Sequence, residues 1–119
     1  MKKITAIELC RTINETLDQH KAQDICVIDL EGKSSIGDFM LIATGTSMRH
    51  LNALATYAQE KAKSLGFKNT TLEGAQNSGW VILDLGDVVV HLFLKETRTL
   101  YDLESMWDPS LYQRTEEKS

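Results

Sequence analysis

The sequence predicts an α/β protein: a single domain in which helices pack on a mixed β-sheet of four to five strands. Two segments carry apolar residues at helical spacing, and continuous apolar runs of strand length lie between and after them. The 119 residues, 42% of them apolar, suit one domain with one core. We expect this domain to span residues 1–112 and a frayed polar tail to span residues 113–119.

The first helix is predicted to begin after Thr5. Thr5 and Glu8 have the spacing of a capping box, in which the hydroxyl and the carboxylate each bind a free backbone N–H. The helix is expected to end near His20. Its apolar residues recur at helical spacing, and they are Ala6, Leu9, Cys10, Ile13 and Leu17.

The next two elements are predicted strands at residues 24–29 and 39–44, separated by a loop that contains Gly and Ser residues. The first contains a continuous apolar run of four residues. The second is apolar nearly throughout, which is typical of a strand covered on both faces.

The turn at residues 44–47 (TGTS) ends the second strand, and Ser47 is placed to cap a second helix that Gly66 ends. A strand, a helix and a further strand predict a right-handed crossover onto a parallel neighbour. Backbone N–H groups at such a turn can also hold an anion. Because the turn lacks the Gly-Lys-Ser/Thr ending of a P-loop, we favour an ordinary capped turn.

Residues 80–85 and 88–94 are predicted to form a hairpin through the two-residue connection Gly86-Asp87. Residues 70–73 can supply a fifth strand. The last helix is expected to start at Thr97 or Thr99 and to end near Trp107, ahead of Pro109. Three of its residues share the face expected to pack on the core: Leu100, Leu103 and Trp107.

Beside that face lie Arg98, Tyr101 and Glu104. An aromatic residue next to Arg and Glu on a surface is typical of an interface hot spot. The same residues can instead pack inside the domain, and the pattern alone slightly favours that interpretation. Trp80, at the start of a strand, can extend the aromatic surface or cap the core.

The charge balance bears on the class of partner. The net charge is −4, and the basic residues are scattered. A protein that binds phosphates needs a surplus of Lys and Arg, so we expect no DNA binding and little direct RNA contact. An acidic surface suits a basic protein partner better.

The chain shows no sign of a membrane or export segment. No apolar run reaches the roughly 20 residues that cross a bilayer. The first residues lead into an amphipathic pattern and not into the apolar core of a signal peptide. We expect a cytoplasmic protein, or one in an organelle of bacterial origin, with Cys10 and Cys26 as buried reduced thiols.

Catalytic patterns are missing from the sequence. His20, His50 and His91 are not paired at a metal-ligand spacing. Asp84 and Asp87 flank a hairpin turn, where Asp commonly binds local backbone. Neither a Gly-x-Ser-x-Gly elbow nor a convincing Cys–His pair is present. We therefore predict no catalytic residue, no metal ligand and no cofactor.

The ordered motifs over residues 5–108 resemble the Iojap-like ribosomal silencing factors, also called ribosome-silencing factor S. The matching segments are DICVIDL at 24–30, DFMLIATGTSMRH at 38–50, EG at 73–74, GWVILDLGDVVVHLF at 79–93 and RTLYDLESMW at 98–107. Two positions depart from the family pattern. Leu100 stands where an aromatic residue is expected, and Phe39 stands where tyrosine is frequent.

The resemblance implies a mechanism. Members of the family bind the fourteenth protein of the large ribosomal subunit at the subunit-joining face and so exclude the small subunit. Translation is thereby repressed when nutrients are scarce, as in stationary phase, and some members form homodimers. The contact residues carried over by position are Trp80, Arg98, Tyr101, Leu103, Glu104 and Trp107, with Asp38 and His91 as additional candidates.

An enzyme is the alternative. The order of elements also resembles the nucleotidyltransferase fold, in which a Gly-Ser turn precedes a helix and a later strand carries a metal-binding Asp-x-Asp. Here the strand offers Asp84 without a second carboxylate two residues away. A nucleotide- or metal-dependent transferase is therefore less favoured than a silencing factor.

Overall fold

The computed structural model describes residues 4–30, 38–74, 78–101 and 112–114. The helices and strands follow the order α1 (Ala6–Gln19), β1 (Gln23–Asp29), β2 (Phe39–Gly45), α2 (Met48–Ser64), β3 (Thr71–Glu73), β4 (Trp80–Asp84), β5 (Val88–Leu94), α3 (Lys95–Tyr101) and β6 (Tyr112–Arg114). The predicted α/β class, with helices packed on a mixed sheet, is confirmed.

The two long helices begin where their caps predict. The Thr5 N–H donates to Oε1 of Glu8 over 3.0 Å, and the Glu8 N–H donates to Oγ1 of Thr5 over 3.3 Å. The His50 N–H donates to Oγ of Ser47 over 3.0 Å at the start of α2. Each side chain satisfies a backbone donor that has no partner within its helix, which fixes the helix start.

The sheet has the strand order β3-β4-β5-β2-β1-β6. All neighbouring strands are antiparallel except β2 and β5, which pair in parallel from Phe39 with Val88 to Gly45 with Leu94. The parallel neighbour of β2 is therefore not the first strand after α2. The chain runs from α2 to the sheet edge at β3 and returns through β4 to β5 beside β2.

Two boundaries differ from those predicted. The sheet has a sixth strand, β6, which includes Gln113 and Arg114 of the expected tail and pairs with β1. Three polar or aromatic residues carry no alternating pattern, so their pairing is not visible in the sequence.

Helix α3 follows β5 without a loop, so Thr97 and Thr99 lie inside it instead of capping it. The predicted end of this helix at Trp107 falls outside the described residues.

Both faces of the central strands are buried. The main core lies between the sheet and helices α1 and α2, with Leu9, Ile13, Leu51, Leu54 and Leu92 among its members. A smaller cluster on the other face, here called the outer face, contains Cys26, Ile28, Leu30, Met40, Ile42 and Phe93, with Trp80 packed against it. Cys10 is in the main core and Cys26 is in the outer-face cluster, and both are buried, as expected.

Candidate partner-binding surface

The outer face of the sheet carries exposed and half-buried side chains at its β3–β4 edge. Side chains alternate along β4, so Trp80, Ile82 and Asp84 lie on the outer face while Val81 and Leu83 enter the main core. On β3, Glu73 pairs with Ile82 and Thr71 pairs with Asp84. These five outer-face residues form what we call the β3–β4 patch: Thr71, Glu73, Trp80, Ile82 and Asp84.

Exposure changes across this patch. Trp80 and Ile82 are half-buried, whereas Glu73 and Asp84 are exposed. The next strand, β5, contributes buried residues to the same face, including His91 beside Ile82. The patch is thus an apolar strip bordered by two carboxylates.

Trp80 is held in place by its neighbours on β5. Its indole Nε1–H donates to Nδ1 of His91 over 3.1 Å. Its ring stacks on Phe93, with ring centroids 5.1 Å apart and planes 27° apart. An aromatic side chain already fixed in this way loses little conformational freedom when a partner covers its exposed part.

His91 is the buried neighbour that holds the Trp80 indole in place. The imidazole is buried, and desolvation lowers its pKa from 6.5 to about 4. Because Nδ1 accepts the indole hydrogen bond, the proton of the neutral ring is on Nε2. His91 is a candidate contact residue by position, but its burial indicates that it acts by orienting Trp80.

Arg98 is also buried. Its Nη1 donates to the backbone carbonyl of Asp24 over 2.7 Å and to Oγ1 of Thr44 over 2.9 Å, and the Asp24 carboxylate lies 4.0 Å away. Asp24 has a φ of 52°, and the register of β1 shifts there. The guanidinium therefore ties α3 to an irregular part of β1 and to the end of β2.

The burial of Arg98 sets the orientation of α3. Residues two positions apart on a helix are separated by about 200° around its axis, so Leu100 points away from the sheet when Arg98 points inward. Leu100 is 77% exposed, and the expectation that it faces the core is wrong. The hydrogen bonds of Arg98, and not the apolar residues, orient this seven-residue helix.

The remaining predicted contacts are only partly described. Tyr101 is the last residue of α3, and Leu103, Glu104 and Trp107 lie outside the described residues. Asp38 is half-buried, and its backbone pairs with Leu30 and Asp87 beside the start of β5. Trp80 instead pairs with Phe93 near the end of β5, so the structure does not bring Asp38 to Trp80.

The turn before α2 is occupied by a side chain of the chain itself. The Thr46 N–H donates to Nδ1 of His50 over 2.9 Å. The other ring nitrogen, Nε2, lies 2.9 Å from the carbonyl oxygen of His20 and donates to it. His50 thus takes a backbone donor that an anion would need, which supports the ordinary capped turn.

Neither a metal-binding group nor a membrane-spanning helix is found in the described ranges. Within them, no group of three or more His, Cys, Asp or Glu residues could hold a metal ion. Oδ1 of Asp84 accepts a hydrogen bond from the Gly86 N–H over 2.8 Å, which gives this carboxylate a place in the hairpin turn. No helix in the described part of the chain is long and apolar enough to cross a membrane.

Similarity to known proteins extends over nearly the whole chain. Residues 3–119 match the family described as "Ribosomal silencing factor during starvation". The ribosomal silencing factor RsfS of Haemophilus influenzae is 40% identical over 99 residues, which are 83% of this chain and 97% of that protein. A Mus musculus protein named "Mitochondrial assembly of ribosomal large subunit protein 1" is 38% identical over 94 residues, covering 76% of this chain and 41% of that protein. A crystal structure of a Chromobacterium violaceum protein superposes with a TM-score of 0.82 at 36% identity, covering 91% of this chain and 92% of that one.

Proposed function

This chain belongs to the RsfS family of ribosomal silencing factors, and we propose that it binds the large ribosomal subunit and sterically blocks the small subunit. The proposed receptor is the fourteenth protein of the large subunit, at the subunit-joining face. Binding there represses translation under nutrient limitation, as in stationary phase. Steric exclusion needs no catalytic group and no cofactor, and the proposed site of action is the cytoplasm.

The observation that carries the proposal is the state of Trp80. It is half-buried, held by a hydrogen bond to His91 and by stacking on Phe93, and placed at the start of β4. A rigid, partly exposed tryptophan beside an apolar neighbour is a typical anchor of a protein interface. The name of the mouse relative, which refers to the large ribosomal subunit, is consistent with a large-subunit partner.

The proposed contact surface contains Trp80 together with Tyr101, Leu103, Glu104 and Trp107. Leu100 joins it, because this side chain is exposed on the helix that leads into that segment. Arg98 and His91 support the surface from inside the fold, and Asp38 is not included because it lies near the other end of β5. A basic ribosomal protein is the class of partner that the net charge of −4 favours.

Sedimentation of purified ribosomal subunits tests the proposal. We expect the protein to travel with the large subunit and to lower the fraction of joined ribosomes under conditions where subunits normally associate. If it stays at the top of the gradient and joining is unaffected, the proposed function is wrong for this chain.

A matched pair of variants locates the surface. Trp80→Ala should weaken binding by roughly 30-fold, the effect of losing an anchor worth about 2 kcal/mol. Tyr57→Ala removes another exposed aromatic residue, on α2 at the opposite layer, and should bind as the unmodified protein does. Circular dichroism checks that both variants fold. If Trp80→Ala does not fold, Trp80→Phe, which keeps a ring to stack on Phe93, takes its place. Equal binding by all folded Trp80 variants would contradict the proposed anchor.

A further inference from the structure

The residue that precedes Trp80 is held by three separate elements. The Gly79 N–H donates to Sδ of Met48, the first residue of α2, over 3.2 Å. The Gly79 carbonyl oxygen accepts from the Leu94 N–H at the end of β5 over 2.9 Å. On the third side, a Cβ on Gly79 would overlap the hydroxyl of Thr97 on α3. Gly79 is buried, and a buried backbone N–H that loses its acceptor destabilises the fold.

Met48 is the part of this arrangement that comes from the second helix. Its side chain is half-buried and packs against the main core, directly after the cap residue Ser47. A leucine at this position would fill a similar volume but would offer no acceptor, whereas the thioether sulfur is a weak one. The hydrogen bond to Gly79 therefore gives Met48 a role that packing alone does not require.

The position of Gly79 determines how the chain enters β4. Its φ of 78° lies in the left-handed region that favours glycine, so the chain turns here immediately before the strand. Trp80 follows directly, pairs with Phe93 and donates its indole N–H to Nδ1 of His91 over 3.1 Å. A hydrogen bond weakens steeply as its angle departs from linear, so a shift of the Trp80 backbone would loosen the indole contact.

We propose that Met48 is a positioning residue for Trp80: its sulfur holds Gly79 and thereby fixes the orientation of the indole. The inference rests on the proposed function for the role of Trp80 as an anchor, and on the contacts of Gly79 for the positioning itself. Met48 packs on the main core, whereas the indole packs on the outer face, so Met48 acts through the backbone. An anchor held in one orientation loses less conformational freedom on binding, so loosening the indole lowers the affinity.

Two substitutions separate the acceptor of Met48 from its volume. Met48→Leu keeps an apolar side chain of similar volume and removes the acceptor, so it should weaken large-subunit binding roughly twofold to fivefold. Met48→Gln has a similar length and offers a carbonyl oxygen, so it should keep the hydrogen bond and the affinity. Thr5→Ala removes the N-cap of α1 and lowers the stability elsewhere in the fold, so it serves as the control, with no change in binding expected.

The NMR signals of the Gly79 amide and the Trp80 indole N–H test the positioning without any partner. Both signals should move in Met48→Leu, and the indole proton should exchange with solvent faster than in the unmodified protein. The indole signal should stay near its original position in Met48→Gln and in Thr5→Ala. A merely destabilising substitution does not produce this pattern, because Thr5→Ala lowers stability as well.

The outcomes separate the inference from the proposed function. If the unmodified protein binds the large subunit and Met48→Leu changes neither the indole signal nor the affinity, the positioning role is wrong and the proposed function stands. If the unmodified protein does not bind but the indole signal moves in Met48→Leu alone, the proposed function is wrong and the positioning stands. Equal effects of Met48→Leu and Met48→Gln would assign them to packing and would overturn the inference, as would a moved indole signal with unchanged affinity.

Discussion

The indole N–H of Trp80 donates its hydrogen bond to Nδ1 of His91, across the antiparallel pair β4 and β5, over 3.1 Å. This contact requires an imidazole that is unprotonated at Nδ1. A buried, neutral histidine therefore holds the half-buried tryptophan at the start of β4. Since the contact depends on protonation, the stability of the fold and the order of Trp80 are linked through one side chain.

The pH dependence of stability follows from His91. Its folded-state pKa is about 4, below the ordinary value of 6.5, so the unfolded chain takes up the proton first as the pH falls. The stabilisation from neutral His91 is fully present above pH 6.5 and is lost as the pH falls toward 4. The total loss in the free energy of unfolding is at most about 3 kcal/mol. Urea unfolding across this window should show a steeper loss than in His91→Gln, which does not titrate there. An equal loss in both proteins would show that His91 does not carry the effect.

Arg98 is predicted to stabilise the fold and not to contact the partner directly. Arg98→Ala removes the hydrogen bonds to the Asp24 carbonyl and the Thr44 hydroxyl, and should lower the free energy of unfolding by about 2–3 kcal/mol. Arg11→Ala, at an exposed position on α1, should change it little. Denaturant unfolding measures both. A fully stable Arg98→Ala protein that no longer binds large subunits would instead assign Arg98 to the interface.

Gly79 is predicted to tolerate no side chain. Its φ is 78°, and a Cβ there would overlap the hydroxyl of Thr97 on α3. Gly86 provides the matched control, because its φ is 94° but a Cβ would meet no atom within 4 Å. Gly86→Ala should cost about 1–2 kcal/mol from backbone strain alone, and Gly79→Ala should cost more. In thermal unfolding, adding Thr97→Ala to Gly79→Ala should recover part of the difference; no recovery would mean that this contact is not the cause.

The two cysteines are predicted to be unreactive in the folded protein. Burial raises the pKa of the Cys10 thiol to about 12, so almost none of it is thiolate at neutral pH. Cys26 is buried on the other face of the sheet. Both should react with a disulfide reagent only at the rate of unfolding, and both should react quickly in denaturant. Fast labelling of either thiol without denaturant would contradict the described packing.

Local signals in the sequence predict most of the fold. The capping residues Thr5 and Ser47 mark the starts of both long helices, and Gly86 with its positive φ marks the hairpin, because each of these residues acts within a few positions of itself. The starts of α3 and β6 are not predicted in this way. The start of α3 depends on contacts with distant strands, and β6 exists only because β1 offers it an edge.

The candidate surface was less accessible to sequence reasoning than the fold. Trp80 is indicated by the family resemblance, but the burial of Arg98 depends on Asp24, which is far away in the chain. The place of Glu73 beside Ile82 depends on the register of a three-residue strand that has no buried residue to mark it. Contacts between distant parts of the chain set both positions, and no local sequence pattern predicts them.

The parallel pairing of β2 with β5 joins two strands that are far apart in the chain. β2 and β5 can pair only when the whole segment between them, which contains α2, β3 and β4, has been synthesised. Closing so long a loop costs entropy before any contact in the centre of the sheet is gained, so we expect slower folding than for a helical domain of equal size. A nascent chain that ends before Val88 presents the backbone edge of β2 without its partner, and an unpaired strand edge of this kind promotes aggregation.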